Sequence, residues 1–133
     1  MKIKNKKFEI EFIGDTQLKK FLRASKDRLK KLSEYFQILH QNEDQTMITI
    51  KIVSNEEIKI LNKKFRKKNK ITDVLSFPNY DQNIIRTKLK SQKNLYLGDI
   101  ALNLYKIDKE KNKFKSEFDK LWVHGLVHLM GYR

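Results

Sequence analysis

Residues 114–130 read FKSEFDKLWVHGLVHLM and place their large apolar side chains three or four positions apart. This spacing predicts a helix with one apolar face, because such positions fall on the same side of an α-helix. His124 and His128, two of the chain's three histidines, lie four residues apart on this segment. A spacing of four puts both imidazoles on one helix face, one turn apart, as two nitrogen ligands of a single zinc ion require. Gly131 follows at the position where a left-handed residue commonly ends a helix.

The rest of the sequence alternates between strand and helix patterns. Short β-branched or alternating segments predict four strands, at residues 7–13, 47–53, 74–77 and 95–101. Residues 16–39 carry apolar side chains at helical spacing and predict an amphipathic helix. Ser54 and Glu57 form a capping box that opens a shorter helix. Pro78 ends the third strand, and residues 79–94 follow as a long loop without a sustained period.

Length and composition favour one compact domain, residues 1–133. The chain is 39% hydrophobic and contains no cysteine, which excludes disulfides and thiolate metal ligands. Any metal must therefore be held by nitrogen and oxygen. No apolar run has the length of a signal peptide or a membrane span, so we expect a cytoplasmic, soluble protein.

The charge predicts a polyanionic partner. Lys and Arg number 30 against 16 Asp and Glu, a formal net charge of +14. Nucleic acid is favoured over a membrane surface, because the chain has no long basic amphipathic helix. Six cations form a basic segment at residues 63–70, namely Lys63, Lys64, Arg66, Lys67, Lys68 and Lys70. The alternative is that these lysines are only a solvated surface.

The two histidines suggest a metal site that is incomplete. A catalytic zinc ion normally takes three protein ligands and a water molecule, whose pKa it lowers to about 7. The alternative is a metal-free pair of helical histidines hydrogen-bonded near a core. A zinc protease is disfavoured, because Gly125 follows the first histidine where that design has a glutamate as general base. Glu117 lies two turns before His124, which suits a structural role better than a ligand.

Arg66 is the candidate catalytic cation. If the substrate is a phosphodiester, charge that develops on the phosphate oxygens needs a cation nearby, and a guanidinium can bind them through two parallel hydrogen bonds. The lysines of the basic segment would contact the backbone phosphates. The alternative is that Arg66 is one more solvated residue.

Four segments together resemble the YbeY family of bacterial rRNA maturation factors and endoribonucleases. They are LNKKFR at 61–66, TDVLSFP at 72–78, LGDI at 97–100 and HGLVHLMGY at 124–132, in the family's order and at nearly its spacing. The resemblance implies an α+β domain with a small mixed sheet of about four strands, packed with helices and carrying the metal site on the C-terminal helix. It also implies one zinc ion per chain and single-strand-specific cleavage of RNA. The implied partners are rRNA and the small ribosomal subunit, with ribosomal proteins and an assembly GTPase.

Carried over by position, the family's first two zinc-binding histidines fall on His124 and His128, and its functional arginine on Arg66. The third ligand does not carry over, because Arg133 stands where the family has aspartate and the sequence stops before the expected histidine. We therefore expect a C-terminus truncated just before that ligand, a degenerate end, or another ligand. His40, the Arg133 carboxylate or water could complete the site.

The sequence thus predicts a zinc-dependent endoribonuclease that acts at the 3′ end of 16S rRNA, in ribosome assembly and quality control. Attack on phosphorus by metal-activated water and attack by the 2′-hydroxyl both stay open. A non-catalytic, basic RNA-binding assembly factor is the alternative. A hydrolase of a small molecule would fit the two histidines but would not account for the net charge of +14.

Overall fold

The computed structural model describes residues 2–4, 8–14, 46–81, 83–85, 88, 95–105 and 114–130. In chain order these residues form β1 (Lys2–Lys4), β2 (Phe8–Ile13), β3 (Thr46–Ile52), α1 (Asn55–Arg66), β4 (Val74–Pro78), β5 (Leu95–Leu102) and α2 (Phe114–Leu129). The predicted helix at 16–39, the Gly131 cap, His40 and Arg133 lie outside the described residues. None of the helices in the described ranges is long and apolar enough to cross a membrane.

The strands form one mixed sheet in the order β1-β2-β3-β5-β4. The central pairs β2–β3 and β3–β5 are parallel, and the outer pairs β1–β2 and β4–β5 are antiparallel. The predicted α+β class with a mixed sheet is confirmed. The sheet has one strand more than the expected four, because the three residues of β1 are too few to show an alternating pattern.

The two faces of the sheet carry different helices. On one face, Ile48, Ile50 and Ile100 pack with Phe118 and Trp122 of α2 in the larger apolar cluster. On the other face, Leu75 and Ala101 pack with Val53 and Ile58 in a smaller cluster that includes α1. Since successive strand residues point to opposite faces, neighbours such as Ile100 and Ala101 serve different helices. The edge strand β4 therefore lies between α1 and α2.

The start of α1 is capped as the sequence predicts. Ser54 has extended backbone angles, and its hydroxyl accepts a hydrogen bond from the Glu57 amide at 3.1 Å. The Glu57 carboxylate lies 3.1 Å from Lys51 Nζ and forms an ion pair with β3. The glutamate of the capping box thus binds a neighbouring strand.

The segment predicted as a long loop contains a helical turn. At residues 83–85 the amides of Ile84 and Ile85 donate to the Asp81 carbonyl at 3.0 and 2.9 Å. Ile85 is buried and joins the larger core cluster. The prediction of a loop is wrong at these residues, because they are helical although the sequence has no sustained helical period here.

Candidate active site

Helix α2 approaches the sheet closely at the glycine between the two histidines. A Cβ atom on Gly125 would lie 2.8 Å from Ile100 Cγ2 and 2.9 Å from its Cδ1, closer than van der Waals contact allows. The Ser76 hydroxyl of β4 also donates to the Gly125 carbonyl at 3.3 Å. These two contacts fix the height of α2 above β5 and β4. They explain why a glycine occupies the position where zinc proteases have a glutamate.

The two histidines converge as their spacing predicts. His124 Nε2 and His128 Nε2 lie 3.0 Å apart, and the ring centroids are 4.5 Å apart. Two nitrogens bound at about 2.0–2.1 Å in a tetrahedral zinc site lie about 3.3 Å from each other. The donor set and its separation therefore fit two of the ligands of a zinc ion. Without metal, one ring can donate a proton to the other at the same separation.

The surroundings of His128 disfavour its protonated form. Burial lowers the pKa of His128 below its ordinary value of 6.5, and the nearby charges of His124 and Arg66 lower it further. A neutral imidazole is the form that can bind a metal ion. The Arg66 guanidinium thus lies close enough to His128 to disfavour a second positive charge there.

Arg66 is the last residue of α1, and the turn after it is held firmly. Lys67 adopts a left-handed conformation with φ 59°, and its amide donates to the Lys63 carbonyl at 3.1 Å. The Lys68 amide reaches back to the Asn62 carbonyl at 3.3 Å, which completes a Schellman-type helix end. The buried Asn62 side chain adds a hydrogen bond from Nδ2 to the Lys70 carbonyl at 2.9 Å.

A pocket of about 870 Å³ joins these parts across the edge strand β4. Arg66, His124 and His128 all line it. Its other walls are Phe65, the 72–78 segment, Tyr80, Asp81, Ile85 and Leu129. A volume of this size is typical of ligand-binding pockets and can hold a nucleotide. The structure thus brings together the three residues predicted as metal ligands and catalytic cation.

The other predicted residues take different places. The lysines predicted to bind RNA are exposed on the last turn of α1 and on the loop after it, namely Lys63, Lys64, Lys67, Lys68 and Lys70. Glu117 is exposed and pairs with Lys120 at 3.6 Å on the surface of α2. Within the described ranges, no group of three or more His, Cys, Asp or Glu side chains could hold a metal ion. The third ligand stays a prediction.

The LGDI segment, residues 97–100, lies in β5 and pairs with β4, the strand that lines the pocket. Gly98 has φ +140°, and a Cβ atom there would lie 2.3 Å from the Phe77 carbonyl, so only glycine lets β4 pair at this position. Tyr96 donates its hydroxyl proton to the Asp99 carboxylate, and Thr49 Oγ1 lies 2.7 Å from the Tyr96 hydroxyl oxygen. Burial, together with the Asp99 carboxylate, raises the pKa of Tyr96. The Asp99 carboxylate therefore accepts a hydrogen bond from a residue of its own strand.

Sequence reasoning gave no site role to the other lining residues, among them Phe65, Tyr80, Asp81 and Ile85. The last three come from the segment predicted as a loop. Phe65 has the helical spacing of Ile58 and Leu61, which favoured an assignment to the core. Its position directly before Arg66 was the signal that could have identified it.

The model of the family described as endoribonuclease YbeY matches residues 3–133. The chain belongs to the YbeY family. Relatives described as endoribonuclease YbeY include one from Pelagibacter ubique, 43% identical over 64% of this chain and 54% of the relative. Another, from Thermodesulfovibrio yellowstonii, is 40% identical over 84% of this chain and 65% of the relative. The chain thus spans about half to two thirds of the length of these two relatives.

Two further comparisons extend over most of the chain. A YbeY from Malacoplasma penetrans is 32% identical over 94% of this chain and 80% of the relative. The solution structure of TM1509 from Thermotoga maritima matches with a TM-score of 0.57 and 26% identity, covering 92% of this chain and 73% of that one. The resemblance seen in the four sequence segments is confirmed as YbeY family membership.

Proposed function

We propose that this chain is a zinc-dependent endoribonuclease that cleaves single-stranded RNA in the maturation of the 16S rRNA 3′ end. The observation that carries the proposal is that Arg66, His124 and His128 line one pocket. The names of the relatives, endoribonuclease YbeY, support RNA cleavage as the activity. The net charge of +14 supports a nucleic-acid substrate.

The residues of the pocket have different roles in the proposed reaction. His124 and His128 would hold a zinc ion through their Nε2 atoms. Zinc bound there supplies a Lewis acid that makes hydroxide available at neutral pH. Arg66 binds non-bridging oxygens of the scissile phosphate and stabilises the negative charge that grows on them. Phe77 and Leu129 form apolar walls of the pocket beside these groups.

The lysines of the basic segment bind the backbone on either side of the scissile phosphate. Each phosphate that they neutralise adds about 0.7 to the slope of affinity against salt concentration on a single strand. Phosphate contacts of this kind raise the affinity for any RNA sequence, so other contacts must determine which bond is cleaved. Replacement of Lys67 and Lys68 by glutamine should therefore lower the salt slope by about 1.4.

Cleavage of a single-stranded RNA that matches the immature 16S rRNA 3′ end tests the proposal. We expect zinc-loaded protein to cut the single strand and to spare the same sequence in a duplex. Chelation, His128→Ala and Arg66→Ala should each abolish or strongly reduce cleavage. Lys59→Ala removes the same charge from the exposed side of α1, away from the pocket, and should leave cleavage unchanged.

The result also separates the alternatives. Wild-type cleavage by Arg66→Ala would exclude its catalytic role. RNA binding without any cleavage, equal in wild type and His128→Ala, would support the non-catalytic assembly factor. A 2′,3′-cyclic phosphate with a 5′-hydroxyl on the downstream product identifies attack by the 2′-hydroxyl, whereas a 5′-phosphate with a 3′-hydroxyl identifies attack by water.

A further inference from the structure

Phe65 is an aromatic side chain exposed at the mouth of the pocket. Its exposed fraction is 56%, although it lies on a helix whose neighbouring apolar residues Ile58 and Leu61 face the core. It lines the pocket together with Arg66 and the two histidines. We infer that Phe65 is a stacking platform for one unpaired nucleobase of the substrate. The identity of that substrate rests on the function proposed above.

The Phe65 ring is held in place before any ligand binds. The Phe77 ring of β4 meets it edge to face, with centroids 5.0 Å apart and an interplanar angle of 73°. The helix end at Lys67 fixes the backbone on its other side. A base that stacks on this ring therefore finds a surface already ordered, and little conformational entropy is lost on binding.

The surroundings of the ring have the charge that a nucleotide requires. The Lys64 ammonium lies 5.3 Å from the Phe65 ring centroid, and Arg66 and Lys67 follow directly in sequence. An arriving base can displace the flexible lysine from the ring, and the ammonium can then bind the phosphate of the same nucleotide. An aromatic face framed by cations is the usual surface of single-strand binding sites.

Stacking on Phe65 would also select for single strands. A base in a duplex is paired and stacked on its neighbours, so it cannot offer its face to a protein ring without being unstacked first. Arg66 is adjacent to Phe65, so the base held by Phe65 belongs to a nucleotide close to the scissile phosphate. Phe65 is in this sense a specificity residue, and Arg66 acts on the chemistry.

Besides Phe65 and Phe77, Tyr80 also lines the pocket with an aromatic ring. It is less suited to stack on a base. It is half-buried and packs against the larger core cluster, whereas Phe65 is 56% exposed. Tyr80 therefore forms a wall of the pocket. The exposed face of Phe65 is the surface left for a base.

An abasic-site scan tests the inference. Single-stranded 2′-O-methyl RNAs, each lacking one base and checked as intact by electrophoresis, are titrated against the zinc-loaded protein. At one position, loss of the base should weaken wild-type binding between about 5-fold and about 150-fold, the range found for base–aromatic stacking. Phe65→Leu should bind the complete and the abasic RNA within about 2-fold of each other, while Phe65→Tyr keeps the wild-type pattern.

Matched controls keep the test decisive. Tyr105→Leu removes an aromatic ring that is 69% exposed and lies outside the pocket, and it should keep the wild-type pattern. Wild-type sensitivity retained by Phe65→Leu, or an equal loss of affinity at every position, would overturn the inference. A wild-type protein insensitive to every abasic site would do the same and would favour a protein partner for the ring. If the pattern holds but RNA is not cleaved, the stacking inference stands and the proposed activity fails.

Discussion

Gly125→Ala should loosen the contact on which the pocket depends. The added Cβ would lie 2.8 Å from Ile100 Cγ2, about 0.6 Å short of the 3.4 Å at which ordinary contact begins. Ile100 is 1% exposed and β-branched, so its side chain has little freedom to turn away. Overpacking of this kind costs about 1–3 kcal/mol, while alanine gains about 0.8–1 kcal/mol over glycine in a helix. The free energy of unfolding should fall by about 1 kcal/mol.

The same change should reduce activity more than stability. If α2 lifts by about 0.6 Å, both histidines move relative to Arg66 on the opposite side of the pocket. A displacement of about 1 Å can cost about 100-fold in rate, so a loss on the order of tenfold is expected. Urea denaturation measures the stability, and the cleavage assay under zinc saturation measures the rate.

A double-mutant cycle identifies the contact responsible. Ile100→Ala removes all three of the atoms that the new Cβ would meet, and alone it should cost about 2–5 kcal/mol. In the double variant the new methyl group fills part of that cavity, so the combined loss should be smaller than the sum by about 1–3 kcal/mol. Additive losses, or a Gly125→Ala protein more stable than wild type, would show that the helix does not press on Ile100.

Three further predictions concern the groups around the pocket. An NMR titration of chelator-treated protein should give His128 a pKa below 6.5, and Arg66→Ala should raise that pKa. Because the pKa is lower in the folded state, the unfolded chain binds the proton first as pH falls. The contribution of His128 to stability is therefore present above pH 6.5 and declines below it. A midpoint above 6.5 would contradict the burial of His128. Asn62→Ala should cost about 1 kcal/mol and speed amide exchange over 67–70, because the bond to the Lys70 carbonyl is lost; unchanged exchange would show that Asn62 does not hold this loop. A histidine added after Arg133 should raise zinc affinity by supplying a third nitrogen ligand, and unchanged affinity in calorimetry would refute the missing-ligand hypothesis.

The elements with a strong local signal could be predicted from sequence. Alternation located β3, the serine cap located the start of α1, and helical spacing located α2. The strand order could not be predicted, because it depends on contacts between distant segments. The insertion of β5 between β3 and β4 has no signature in either strand. The helical residues at 83–85 were missed because the sequence there has no sustained helical period.

For the site, sequence reasoning identified the residues with distinctive chemistry. The spacing of the histidines determined their convergence, because both lie on one helix. Arg66 was placed beside them by the need of a phosphodiester substrate for a cation and by the family resemblance, since no local pattern brings α1 and α2 together. Phe65 was missed because its spacing matched the core face of α1, and only the structure shows that the ring projects beyond that face.

The strand order determines when the pocket can form during synthesis on the ribosome. Strand β4 lies at the sheet edge and pairs with β5, which is made later. Until β5 emerges, β4 and the arginine before it have no sheet to join, and the histidines come later still. The parts of the pocket therefore meet only after the last described helix has been translated. A nascent chain would thus carry the basic segment before Arg66, His124 and His128 line one pocket.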